Sequence, residues 1–396
     1  MLPFARILEY GNKLPTSPIE TIYMPSGNSG CLFILYKDNT LYGIGGGTSR
    51  NYCFGQGDSG GTNYPNWVLV HHDVKRFACS LVEFALIQTI DNKFYYTGAN
   101  DIVAGTGFST TWTDITTLFT SVFTPTQIDS IIDIQVSWSH ILVHLENGDL
   151  YGMGRNLGGT LGLGSNTMVS TFTKLNTDVK KLTHRINTTW IIKNDNSLWR
   201  TGQNSSGILG ITATTNNIYS WTKYNLATNL IPHDVAMNTD GSFILINNTT
   251  TDAWYLIVSG NSINGNLGTG SLSNAVSINN NLLFLTDSST VITSPVTLNT
   301  NGDGSDIGCV ISTNGTLYTT GNGTYGRFGN GTNSNKARFT PPVNPPNISS
   351  METYVGADFG VAYLTKAGDV YYTGRSFSNN TIQNTYQLVT PPVPKP

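Results

Sequence analysis

Apolar residues in this chain come in short runs that alternate with polar positions and close on glycine, and one such run recurs along its length. It reads Asn39-Thr-Leu-Tyr-Gly-Ile-Gly45, Asn92-Lys-Phe-Tyr-Tyr-Thr-Gly98, Gly148-Asp-Leu-Tyr-Gly-Met-Gly154 and Asn196-Ser-Leu-Trp-Arg-Thr-Gly202. A looser copy, Ala253-Trp-Tyr-Leu-Ile-Val-Ser-Gly260, is followed by Gly315-Thr-Leu-Tyr-Thr-Thr-Gly321 and Gly368-Asp-Val-Tyr-Tyr-Thr-Gly374. The closing glycines are 53, 56, 48, 58, 61 and 53 residues apart. A period of that size marks an array of similar supersecondary units.

Each copy belongs to a larger unit. An apolar run such as His140 to Leu145 precedes it, joined by an Asn-Gly or Asp-Asn turn that suits a tight hairpin. A β-branched segment such as Ile131 to Val136 comes earlier still, and a glycine-rich loop and a fourth short strand follow. Four antiparallel strands per unit make a propeller blade, and a closed ring hides the sheet edges that an open array exposes. The expected fold is all-β, a seven-bladed β-propeller of four-stranded antiparallel blades. The blades are expected at about 20–71, 73–128, 131–176, 178–226, 232–286, 291–344 and 348–390, as one domain over 1–396 with a Pro-rich tail at 391–396. Helical periodicity is nearly absent, with one short turn at most between Asp114 and Phe123.

The segment from Val136 to Gly164 resembles a repeat of the regulator of chromosome condensation family. It carries His140 before an apolar strand, the hairpin Gly148-Asp-Leu-Tyr151, and the tail Gly154-Arg-Asn-Leu-Gly-Gly-Thr-Leu-Gly-Leu-Gly164. Related tails are Gly202-Gln-Asn-Ser-Ser-Gly-Ile-Leu-Gly210, Asn264-Gly-Asn-Leu-Gly-Thr-Gly270 and Gly321-Asn-Gly-Thr-Tyr-Gly-Arg-Phe-Gly-Asn-Gly331. The likeness covers about residues 20–390 and is strongest in the third, fourth and sixth units. Physically, the glycines permit positive φ and close backbone approach, while Leu161, Leu209, Leu267 and Phe328 read as plugs between blades. The resemblance implies ring closure by the N-terminal segment Phe4 to Glu9. The residues themselves leave Thr385 to Thr390 as an equal candidate for the same slot.

Composition narrows the function. Only 11% of residues are charged, the net charge is −3, and 42 Gly stand beside roughly forty Asn and fifty Thr. So few cations cannot form a phosphate-binding stripe, which argues against nucleic acid, and no apolar run is long enough for a membrane span. Met1 to Gly11 shows no small-residue cleavage site of a signal peptide. Cys31, Cys53, Cys79 and Cys309 have no paired metal spacing, and Cys31, Cys79 and Cys309 read as small core residues within apolar runs.

The motifs that carry chemistry elsewhere have structural readings here. Gly57-Asp-Ser-Gly-Gly61 copies a serine-protease nucleophile, yet the first His, His71, follows it, against that family's order. His140 and His144 face one side of a strand and could begin a metal site, but no third ligand is near in sequence. Asn301 to Asp306 has calcium-loop spacing without the distal Glu. Gly43 to Gly47 lacks the helix of a dinucleotide site, and Asn-x-Ser/Thr sequons follow from composition.

The expectation is therefore a non-enzymatic scaffold with no cofactor and no metal, binding proteins or glycans through its rims. Trp112, Phe119 and Phe123, on a long inter-blade insert, are the candidate partner anchors, or else they close a local cluster beneath that loop. Low charge with abundant Thr, Asn, Ser and Gly resembles the outer proteins of virus and phage particles. That analogy points to a decoration or attachment component on a virion surface, touching neighbouring subunits, a host receptor or a glycan; a cytoplasmic location is the other reading. The resemblance implies the alternative of a small-GTPase regulator, although no acidic wedge can be matched residue by residue.

Overall fold

The structure is a computed structural model that describes residues 17–25, 30–46, 52–58, 62–80, 84–98, 108–137, 140–211, 217–238, 241–262, 264–270, 275–276, 295–300, 307–312, 316–341, 345–348, 351–357, 359–377, 379 and 381–393. These residues pair into seven four-stranded antiparallel sheets, each in simple up-and-down order. The first holds β1 (Ile19–Tyr23), β2 (Cys31–Tyr36), β3 (Leu41–Gly46) and β4 (Asn63–His71). The second holds β5 (Val74–Ser80), β6 (Phe84–Thr89), β7 (Phe94–Gly98) and β8 (Ser109–Asp114). Two short helices, α1 (Thr116–Thr120) and α2 (Pro125–Asp129), lead into the third: β9 (Ile131–Val136), β10 (His140–Leu145), β11 (Leu150–Gly154) and β12 (Val169–Asn176). The fourth is β13 (Val179–Arg185), β14 (Thr188–Lys193), β15 (Leu198–Gly202) and β16 (Ile218–Tyr224). The fifth is β17 (Leu230–Met237), β18 (Gly241–Asn248), β19 (Ala253–Asn261) and β20 (Ala275–Val276). The sixth is β21 (Pro295–Thr300), β22 (Ile307–Ser312), β23 (Leu317–Gly321) and β24 (Lys336–Thr340), and the last is β25 (Met351–Ala357), β26 (Gly360–Thr365), β27 (Val370–Arg375) and β28 (Ile382–Val389).

Where side chains are described, burial explains the sequence pattern of the strands. β2, β6, β10 and β26 are buried at every position, because neighbouring sheets cover both of their faces. Outer strands such as β4 and β16 are largely exposed or half-buried, which is why they tolerate Asn, Lys and Thr. First strands pack together at β5–β9, β13–β17, β17–β21, β21–β25 and β25–β1, and shared cores join the first sheet to the second and the third to the fourth, so the array closes on itself as a β-propeller. A core of Ile19, Ile22, Leu32, Ile34, Leu364 and Val370 seals that junction. The resemblance-based expectation of N-terminal closure is corrected here: β28 fills the fourth place of the last sheet. Residues 4–9 lie outside the described residues.

The sequence reading placed at most one short helical turn between Asp114 and Phe123, where α1 lies. α2 is a second helix, started by Thr124, whose side chain accepts from the Gln127 N–H while Gln127 reaches back to the Thr124 N–H. That capping box, with Pro125 in the first turn, was present in the residues Thr-Pro-Thr-Gln.

Simple antiparallel order places the first-to-second turns and the third-to-fourth loops of every sheet on one rim. Among the described residues, these glycine loops bolt the first, third, fifth and sixth sheets to the next. The Gly162 φ is +70°, and a Cβ there would lie 2.4 Å from Nε1 of Trp221 on β16. Gly55 meets Trp112, Gly268 meets Phe339 and Gly329 meets Tyr386 in the same way. Two residues on, the Gly164 N–H donates to Tyr219 O at 2.8 Å, as Gly57, Gly270 and Gly331 donate to Thr110, Ala337 and Asn384. The threonine before the closing glycine completes the joint: Thr201 Oγ1 is 2.8 Å from Gly159 O of the preceding blade and 2.8 Å from Ile218 O. Thr320 and Thr373 repeat this geometry. Leu161, Leu209, Leu267 and Phe328 are buried, consistent with their reading as plugs.

Candidate functional site

The first strands of several sheets converge on a cavity of 330 Å³. β1 supplies Tyr23, β5 supplies Phe77 and Cys79, β9 supplies Asp133 and Gln135, β13 supplies His184 and Arg185, and β25 supplies Tyr354. Along β9, Asp133 and Gln135 bring polar groups to the opening, and Ile134 and Val136, which also border it, belong to the core of the second and third sheets. Gln135 Nε2 donates to Asp133 Oδ2 at 2.7 Å, and His184 Nδ1 is 2.8 Å from Gln135 Oε1. Since an amide oxygen only accepts, His184 carries its proton on Nδ1. The His184 ring then meets His140 edge-on at 5.1 Å.

Burial sets the ionisation of this group. It lowers the His140 pKa to about 4, and it holds His184 well below the usual imidazole range, with the nearby His140 adding to the effect. The Asp133 carboxyl is pushed up by desolvation, as are the Tyr23 phenol and the Cys79 thiol. At neutral pH the imidazoles, the phenol and the thiol are thus uncharged. Such a set can hold a polar ligand by hydrogen bonds, whereas a protonated, desolvated thiol is a poor nucleophile.

The sequence-derived candidates fall elsewhere. His140 and His144 do share a face, both turned toward β13, but His144 Nε2 bonds to Val179 O at 2.9 Å while His140 packs on His184. Among the described residues no group of three or more His, Cys, Asp or Glu is arranged to hold a metal. In Gly57-Asp58, the Asp58 carboxylate accepts a hydrogen bond from the Tyr64 hydroxyl. Residues 59–61 of that motif and the 301–306 loop lie outside the described residues. Gly43 is a packing position, where a Cβ would lie 2.7 Å from the rings of Phe33 and Phe54.

Of the two readings of the three aromatics, burial fits the local cluster for Phe119 and Phe123. Phe119 and Phe123 are 0% and 3% exposed, and Phe119 stacks on Phe94 at 3.6 Å. Trp112 is half-buried against Gly55 and His71. As α1 docks on the sheets, Phe119 and Phe123 turn inward into the core of the second and third sheets, while Trp112, on β8, packs beside the core of the first and second sheets. The apolar side chains that do face solvent include Leu157, Leu163, Met168 and Tyr219. The first three lie on the loop between β11 and β12, and Tyr219 lies on β16, to which that loop bridges through Leu163 and Ser220. Sequence reasoning missed these exposed positions because the same loop carries the structural glycines, which drew the whole segment into the scaffold.

Comparison with known proteins agrees with this geometry. No family model matches the chain. Human WBSCR16 superposes with a TM-score of 0.67 at 16% identity, covering 88% of this chain and 87% of that one. Yeast RCC1 (Prp20), solved bound to Kap60, gives a TM-score of 0.67 at 14% identity over 93% of this chain and 85% of that one. The fold is that of an RCC1-like propeller. A further structure of Prp20p from Saccharomyces cerevisiae, reported with its binding properties to Gsp1p and histones, gives 0.61 at 14% identity, over 86% and 80% of the two chains. In sequence, 165 residues are 29% identical to the X-linked retinitis pigmentosa GTPase regulator of Canis lupus familiaris. That match takes in 39% of this chain and 16% of the relative's length. No helix among the described residues is long and apolar enough to cross a membrane.

Proposed function

We propose that the chain is a non-enzymatic, protein-binding scaffold, a single seven-bladed RCC1-like ring whose glycine-loop rim receives the partner. The observation that carries this reading is the exposed group Leu157, Leu163, Met168 and Tyr219 at the joint between the third and fourth sheets. Apolar side chains held outward by a rigid joint offer contact area with little ordering cost. The charge-poor, Thr- and Asn-rich composition supports a place among the outer proteins of a virus particle, where the partner is a neighbouring subunit, a host receptor or a glycan. Wild-type protein is expected to form a stoichiometric complex with a component of its native source. Leu157→Asp combined with Met168→Asp should weaken that complex at least about tenfold with unchanged thermal stability. A complex indifferent to that pair, or a substrate turnover abolished by Asp133→Asn, would contradict the reading.

A second reading, regulation of a small GTPase, is favoured by the partial match to a GTPase regulator and by the Prp20p structure reported with Gsp1p binding. It requires faster release of labelled nucleotide from at least one small GTPase.

A further inference from the structure

Beyond β28 the chain continues as Thr390-Pro391-Pro392-Val393 and lies across the first sheet. Trp67 Nε1 donates to Thr390 O at 2.9 Å, and the Tyr36 hydroxyl donates to Pro392 O. Tyr42 meets Tyr36 edge-on at 5.8 Å, and Tyr36, Tyr42, Trp67 and Val389 belong to one apolar cluster. Proline lacks an N–H and fixes its own φ, so a Pro-Pro segment leaves its carbonyls to outside donors. Aromatic grooves whose Trp and Tyr donors read such carbonyls are a general solution for binding polyproline segments.

The tail is not needed to close the ring. β1 already packs on β25, their sheets share a core, and β28 completes the last sheet before the tail begins. We propose that the groove of Trp67, Tyr36 and Tyr42 is a binding site for proline-rich peptide segments, occupied in cis by residues 390–393 and available in trans when that tail is removed or displaced. The tail and an incoming segment then compete for the same two donors.

The test uses protein truncated after Val389, which frees both donors, and a labelled peptide, Thr-Pro-Pro-Val-Pro-Lys-Pro, read by fluorescence anisotropy. The truncated protein should bind the peptide, and full-length protein should bind it at least about tenfold more weakly, because the tethered tail competes at high effective concentration. Trp67→Phe and, separately, Tyr36→Phe in the truncated protein should each weaken binding, with near-ultraviolet circular dichroism confirming the fold. A peptide with every Pro replaced by Ala should not bind. The proposal fails if the folded, truncated protein ignores the proline peptide, if the alanine peptide binds equally, or if binding is unchanged in both aromatic variants.

Discussion

Gly202→Val is expected to destabilise the ring by about 3–5 kcal/mol, near the top of the range for single substitutions. The Gly202 φ is +111°, and a Cβ there would lie 2.2 Å from Asn187 O and 2.8 Å from Thr188 Cα. Those are backbone atoms of the preceding strand and its turn, so no side-chain rotation relieves the overlap. A branched residue adds strain of its own in this left-handed region. Gly331→Ala is the control: φ is +78°, but nothing lies within 4 Å of the added carbon. Its cost should be only about 1–2 kcal/mol, the conformational penalty alone. Denaturant midpoints of the two variants measure the difference directly. Equal costs would mean that the closing glycines do not carry the close approach described above.

Phe119→Ala should cost about 3–5 kcal/mol, as deletions of large buried aromatics do. The ring lies parallel to Phe94 at 3.6 Å and within 4.8 Å of Phe172 on β12. Its loss opens a void where α1 and the second and third sheets meet. An exposed partner anchor would behave in the opposite way, losing binding while leaving the unfolding midpoint in place. Urea denaturation of the isolated protein separates the two, and an unchanged midpoint would restore the anchor reading.

What was legible in the sequence was what repeats. Leu41, Leu150, Leu198, Leu317 and Val370 mark the same buried position of the third strand, and their spacing alone announced an array of similar sheets. Thr201, Thr320 and Thr373 were visible as part of the same phrase but looked like strand-forming residues. Their hydroxyls act on carbonyls of the preceding blade, a contact that only tertiary structure creates. The cavity was hidden for the same reason, since Tyr23, Asp133, His184 and Tyr354 come from four separate sheets. Phe119 and Phe123 left two readings open, because aromatics on a long insert serve equally as exposed anchors or as a local cluster, and only the docking of α1 and the residues after it decides for the core. The Thr124–Gln127 capping box is readable in the residues, although it stands in a sequence dominated by strand periodicity.

Closure of the ring is the claim on which the rim, the cavity and the tail groove all depend. A Cβ placed on Gly30, in the first sheet's turn, lies 3.9 Å from Cβ of Phe359 in the last sheet's turn. That falls within the separation of about 3.5–4.5 Å typical of disulfides. In a Cys31→Ala background, Gly30→Cys with Phe359→Cys should form an intramolecular disulfide under mild oxidation of the folded protein, seen as faster migration of the unreduced monomer. Folded protein that keeps both thiols, or that cross-links only between molecules, would contradict a closed ring.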